Sequence, residues 1–169
     1  LYPTDTIWGI GCDATNEDAV KRVYEIKKRI DSKALIVLVD KPVKVEFYVR
    51  EVPEIAWNLI DVADKPLTIV YPNARNLATN VLADDGSVGI RITQETFSRK
   101  LCERFRKAIV STSANISGQP APTNFNEISD EIKQAVDYVV TYRQDDPYQP
   151  SPSSVIWIGE GGVIKILRP

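Results

Sequence analysis

Apolar residues along this chain fall into two rhythms. Aliphatic runs at Leu35 to Val39, Leu67 to Tyr71, Ser87 to Ile92, Ala108 to Thr112, Tyr138 to Tyr142, Val155 to Ile158 and Val163 to Leu167 read as strands. Between them, apolar positions recur at helical spacing. Ala19, Val20, Val23, Tyr24 and Ile26 form one stripe, which predicts a helix from a Thr15–Asp18 capping box to about Lys27. Helices are also expected through Val45 and Phe47 after an N-cap at Asp40, and through Ile55, Trp57, Leu59 and Ile60 after Pro53. Two more are expected: Phe97, Leu101, Cys102 and Phe105 facing inward after a Thr93 cap, and a span from about Asn126 to Ala135. Strands interleaved with helices define an α/β class of the α+β type.

Polar positions break this pattern at particular places. Ser111 to Gly118 (Ser-Thr-Ser-Ala-Asn-Ile-Ser-Gly) follows the buried run Ala108 to Val110, and it reads either as an ordinary Ser/Asn loop or as donors presented at a strand's carboxyl end. In Ser87 to Ile92 the alternation puts Val88, Ile90 and Ile92 on one face. Ser87, Gly89 and Arg91 lie on the other, which is a solvated face or an anion-receiving one. Lys27, Lys28 and Arg29 close the first helix, where cations complement the helix dipole. For Lys27 and Arg29 to act together, the helix has to end there, because residues two apart share a face only in extended chain. Gly9 and Gly11 imply a turn or a close backbone approach. Residues 143–154 are polar and carry Pro147, Pro150 and Pro152, which suggests a mobile flap.

Composition narrows the chemistry. A chain of 169 residues with 43% hydrophobic and 26% charged content fits one soluble domain, 1–169. It opens on Leu1 rather than Met, so the native start is expected upstream. No apolar run is long enough to span a membrane. A net charge of −2 gives no global basic field for nucleic acid. Cys12 and Cys102 stand far apart, which suits a reducing cytoplasm. The chain contains no His. That excludes Ser-His-Asp and Cys-His nucleophilic catalysis, and leaves Lys, Arg, carboxylates, hydroxyls or a ligand-borne ion.

Taken together, these segments resemble the YrdC-like family, the threonylcarbamoyl-AMP synthases. Pro3-Thr4-Asp5-Thr6-Ile7-Trp8-Gly9-Ile10-Gly11 is similar to the family's opening motif. Lys27-x-Arg29 resembles its KxR motif, and Ser113-Ala114-Asn115, extended by Ile116-Ser117-Gly118, resembles its SxN motif. Val88-Gly89-Ile90-Arg91 and Ser153-Ser154-Val155 complete the family's order. There are departures. Ile30 and Ala34-Leu35 replace the usual prolines, Asp64-Lys65-Pro66 replaces Pro-Gly-Pro, and no His stands near Leu38 to touch the amino acid.

The resemblance implies a YrdC-like twisted mixed β-sheet with flanking helices and a large concave cleft. It implies condensation of L-threonine, bicarbonate and ATP to threonylcarbamoyl-adenylate with release of pyrophosphate. That product serves the t6A modification of tRNAs reading codons that begin with A. Lys27 and Arg29 are then the catalytic triphosphate clamp. Arg29, Lys33, Ser87, Asn115, Thr123 and Arg168 contact ATP, and Thr6, Arg91, Ser113 and Ser153 contact threonine. Within Ser111 to Gly118, Ser111 and Thr112 are expected only as strand and support. Mg²⁺ is expected on the ATP phosphates with no protein ligands. The partners implied are these small molecules, downstream threonylcarbamoyl-transferase machinery, and tRNA or double-stranded RNA, in the cytoplasm. Two rival readings are a non-catalytic RNA-binding module and a carbamoyl-transfer domain of a larger enzyme.

Overall fold

The computed structural model describes residues 1–29, 34–147 and 150–169. Among these, the chain runs β1 (Gly9–Ile10), α1 (Glu17–Lys27), β2 (Ile36–Val39), α2 (Val45–Tyr48), α3 (Glu54–Val62), β3 (Leu67–Tyr71), β4 (Val88–Ile92), α4 (Thr96–Phe105), β5 (Ile109–Ser113), α5 (Asp130–Ala135), β6 (Ser154–Ile158) and β7 (Ile164–Arg168). The strands form one mixed sheet in the order β1-β5-β2-β4-β3-β6-β7. β2 with β4 and β3 with β6 are parallel, and the remaining pairs are antiparallel.

Register decides what each face of the sheet carries. Val37, Val39, Ile69, Ile90 and Val110 join Val20, Val23, Ala56 and Ile132 of the helices in the main core. The opposite face is set by the pairings Gly9↔Ser113, Ile36↔Ser111, Ile36↔Gly89, Leu38↔Arg91 and Thr68↔Arg91, since paired residues share a face. α4 covers only part of it, packing Cys102 with Leu38, Ile109 and Tyr2. The remainder is left open, so the mixed sheet with flanking helices and a concave side is as expected.

α1 begins one residue later than the capping box predicted. Thr15 is occupied by Asp13, whose Oδ1 accepts from its N–H and hydroxyl, and Asn16 caps the helix instead, accepting from Ala19 N–H at 3.1 Å. α1 ends at Lys27 because Lys28 turns left-handed (φ 50°), with its N–H and that of Arg29 donating to Glu25 and Tyr24 carbonyls. α4 is capped not by Thr93 but by the Glu95 carboxylate, which accepts from Phe97 and Ser98 N–H. The helix expected from Asn126 splits, because Asn124 caps a short 3-10 turn (Phe125–Glu127) and Ser129 caps α5. Likewise Asp40 caps nothing, and Pro42 opens a 3-10 turn ahead of α2. The strand expected at 138–142 does not form. There the Val140 N–H donates to the Leu1 carbonyl, and the Val140 carbonyl accepts from the Gln144 side chain.

Candidate functional site

The open part of the sheet deepens into a cavity of about 280 Å³ bounded by β2, β4, β5, the loop before β1, and the approach to β6. Arg91 stands at its floor, 4% exposed. Its Nε lies 3.1 Å from Asp5 Oδ1, an ion pair without hydrogen-bond alignment, and its Nη1 reaches Ser153 Oγ at 3.4 Å. Arg91 Nη2 is buried with no hydrogen-bond partner among the described residues. A buried guanidinium donor left open beside a cavity marks where an anion can sit. Burial raises the pKa of the Asp5 carboxyl above the usual range, while the Arg91 charge acts the other way.

Ser153 ties together the strands on this side. Its hydroxyl lies 2.8 Å from Thr68 Oγ1 and accepts from Arg168 Nη2 at 3.3 Å, and its carbonyl accepts from Arg168 Nε at 2.8 Å. Arg168 lies at the end of β7, and burial followed by repulsion from Arg91 lowers its pKa. Arg29 enters from the end of α1 and donates to the Ala34 carbonyl at 2.9 Å. Thr6 is fixed by Thr4, whose hydroxyl accepts from Thr6 N–H at 3.0 Å and lies 3.1 Å from Thr6 Oγ1.

Of the site residues expected from sequence, Thr6, Arg29, Arg91, Ser113, Ser153 and Arg168 line this one cavity. Ser111 and Thr112, expected only as support, line it as well. Lys27 does not. It is 1% exposed and lies behind the wall, where its ammonium donates to the Ser113 carbonyl at 2.5 Å, the Asn115 carbonyl at 2.7 Å and Asn115 Oδ1 at 3.2 Å. Burial, then the nearby Arg29 charge, lowers its pKa to about 8. Asn115 is turned the same way: its Oδ1 also accepts from Ser113 Oγ at 2.5 Å and its Nδ2 donates to the Gln119 carbonyl at 2.6 Å. Ser87 accompanies Gly89 and Arg91 in the alternation but lies outside the lining, and Thr123 is bound to Glu127. Lys33 lies outside the described residues. Asp5, within the opening motif but not among the expected site residues, is brought to Arg91 by the fold, a pairing that no sequence spacing signals.

Among the described lining residues are three guanidinia, Arg29, Arg91 and Arg168, with hydroxyls between them and no carboxylate. In a chain of net charge −2, such a cavity is a site for small anions bearing carboxylate or phosphate groups. No group of three or more potential metal-ligating side chains occurs among the described residues. None of the described helices is long and apolar enough to cross a membrane.

The Sua5/YciO/YrdC family model, described as telomere recombination, matches residues 1–169, and the chain belongs to that family. Among its relatives, a threonylcarbamoyl-AMP synthase of Pseudoalteromonas translucida is 31% identical over 154 residues, 89% of this chain and 82% of the relative. A putative threonylcarbamoyl-AMP synthase of Methanocaldococcus jannaschii is 36% identical over 164 residues, 96% of this chain and 75% of the relative. The structure of Pyrococcus abyssi Sua5 complexed with L-threonine superposes with a TM-score of 0.81 at 28% identity, over 99% of this chain. This chain spans about half of that Sua5, 48% of its length. Escherichia coli YciO, at 19% identity and a TM-score of 0.83, shares the fold.

Proposed function

We propose that this chain is a threonylcarbamoyl-AMP synthase, joining L-threonine, bicarbonate and ATP into threonylcarbamoyl-adenylate and releasing pyrophosphate. The observation that carries this reading is the cavity whose described lining holds three guanidinia and no carboxylate, with Arg91 Nη2 open beside it. The names of the relatives support it.

In this reading the threonine carboxylate pairs with Arg91, with Thr6, Ser113 and Ser153 beside it. Threonine's amine attacks the bicarbonate carbon, a C–O bond breaks and water leaves. An oxygen of the resulting carbamate attacks the α-phosphorus of ATP as the bond to pyrophosphate breaks. The carbamate and the triphosphate it attacks are both anionic, so the protein's task is to bring like charges together and hold them in line. Arg29 and Arg168 take phosphate oxygens, and ATP enters as its Mg²⁺ complex, the ion held by the phosphates. Lys27 acts from behind as a strut, fixing the Ser113–Asn115 turn. Ser87, Asn115 and Thr123 are left as nucleotide contacts beyond the cavity's described lining, and Lys33 keeps the ATP contact that the resemblance implies. The product's consumer is threonylcarbamoyl-transferase machinery acting on tRNA in the cytoplasm.

The test is to incubate the protein with MgATP, bicarbonate and threonine and to follow threonylcarbamoyl-AMP and pyrophosphate together. Both should form only when threonine and bicarbonate are present. ATP turnover indifferent to threonine, or tRNA retention with no turnover, would overturn the reading.

A further inference from the structure

Arg143 has no part in the assignments above, yet it is held on three sides. Its backbone is left-handed (φ 64°), a conformation that costs a residue bearing a Cβ and that glycine adopts freely. Its Nε donates to Asp146 Oδ2 at 2.8 Å. Its Nη1 donates to the Thr4 carbonyl at 3.2 Å and lies 3.6 Å from Glu95 Oε1. The guanidinium side chain is 21% exposed, so these contacts are largely shielded.

These three partners, two hydrogen-bond acceptors and one ion pair, belong to three separate parts of the chain. Asp146 stands in the polar run that leads to Pro152 and Ser153 at the cavity. Thr4 belongs to the loop that carries Thr6 into the cavity and aims Asp5 at Arg91. Glu95 caps α4, and its negative charge bears on Asp5. Arg143 therefore supplies for Glu95 the countercharge that Arg91 supplies for Asp5. The contact with Asp146 alone would be a local turn stabiliser, three residues apart. The contact with Thr4 spans 139 residues and needs a different explanation.

We infer that Arg143 is a positioning residue that ties the segment delivering Ser153 to the loop delivering Thr6, and so preforms the amino-acid side of the cavity. The substrate named here rests on the proposed function, but the tie itself does not. Arg143→Gly removes all three contacts while relieving the left-handed backbone, so the melting temperature should hold or rise. Hydrogen exchange should nonetheless accelerate in two separate places, around residues 2–8 and around residues 150–154. KM for threonine should rise about fivefold or more, with KM for ATP moving less than about twofold. Arg143→Lys, which retains the charge and can reach one acceptor, should recover part of both effects. Unchanged exchange at residues 2–8 in Arg143→Gly would overturn the inference whatever the substrate. So would equal rises in both KM values. A wild-type protein that turns over no threonine, with exchange still accelerated at both places, would leave the tie standing and remove the proposed function instead.

Discussion

Two cations of this chain have opposite fates, and the difference lies in their partners. Arg91 is buried and faces a cavity, its Nη2 without a hydrogen-bond partner among the described residues and its Nε only ion-paired. Lys27 is also buried, with its ammonium given to three oxygens of its own chain. Arg91→Ala should therefore raise KM for threonine by roughly thirtyfold, about 2 kcal/mol, and KM for ATP much less, in steady-state assays. Equal effects on the two would remove its carboxylate role. For Lys27 the consequence appears in pH. The native pKa of about 8 lies below the ordinary lysine value of 10.5. Between those two values the unfolded chain holds the extra proton, so this group's contribution to stability increases as pH rises. Activity should do the reverse. Above about pH 8 the amine has one fewer proton to donate and the Ser113–Asn115 turn loosens. An alkaline fall in kcat/KM near pH 8 with no matching fall in denaturation midpoint is the expected signature; a joint decline would mean that the limb reports unfolding. Arg91 could be read from strand alternation because period two fixes a side chain's face. The direction of Lys27 could not, since its acceptors lie in the Ser113–Asn115 turn, 86 and 88 residues away in sequence.

At the scale of elements, the short β1 is held in place by a close backbone approach. Tyr2 exchanges backbone hydrogen bonds with Gly9, and its hydroxyl donates to the Val110 carbonyl at 2.9 Å, crossing over Gly11. A Cβ on Gly11 would come within 2.6 Å of the Val110 carbonyl and 2.5 Å of the Tyr2 ring. Gly11→Ala should thus destabilise by about 2 kcal/mol, measured by urea denaturation, because backbone rather than a flexible side chain has to move. A neutral result would show that β1 can shift away from β5. The central strands were legible because β2, β3, β4 and β5 are continuous or alternating apolar runs. Caps were less so. Thr15, Thr93 and Asp40 had suitable chemistry, but Asp13 engages Thr15, Ser98 faces Thr93 at 2.7 Å and Lys44 pairs with Asp40. Competition between neighbouring polar groups is a tertiary matter. The missing strand at 138–142 has the same cause, an apolar pattern whose backbone groups found other partners.

For the molecule as a whole, the asymmetry of the sheet governs behaviour. One face is filled by the main core and the other is partly covered by α4 and partly lined with guanidinia. Like charges held together without a ligand oppose compaction, and a bound anion offsets that repulsion. Threonine together with a non-hydrolysable MgATP analogue, each at about a hundred times its Kd, should therefore raise the melting temperature by several degrees. Threonine paired with a neutral nucleoside should raise it less. An unchanged melting temperature with the analogue would mean that the cavity does not take the triphosphate.

The absence of any carboxylate from the described lining also bears on direction. In the proposed reading the three guanidinia would hold a departing pyrophosphate much as an arriving triphosphate, and no described lining residue repels it. A catalyst leaves the equilibrium constant unchanged, so net flow toward the adenylate depends on whatever removes pyrophosphate and takes up the activated product.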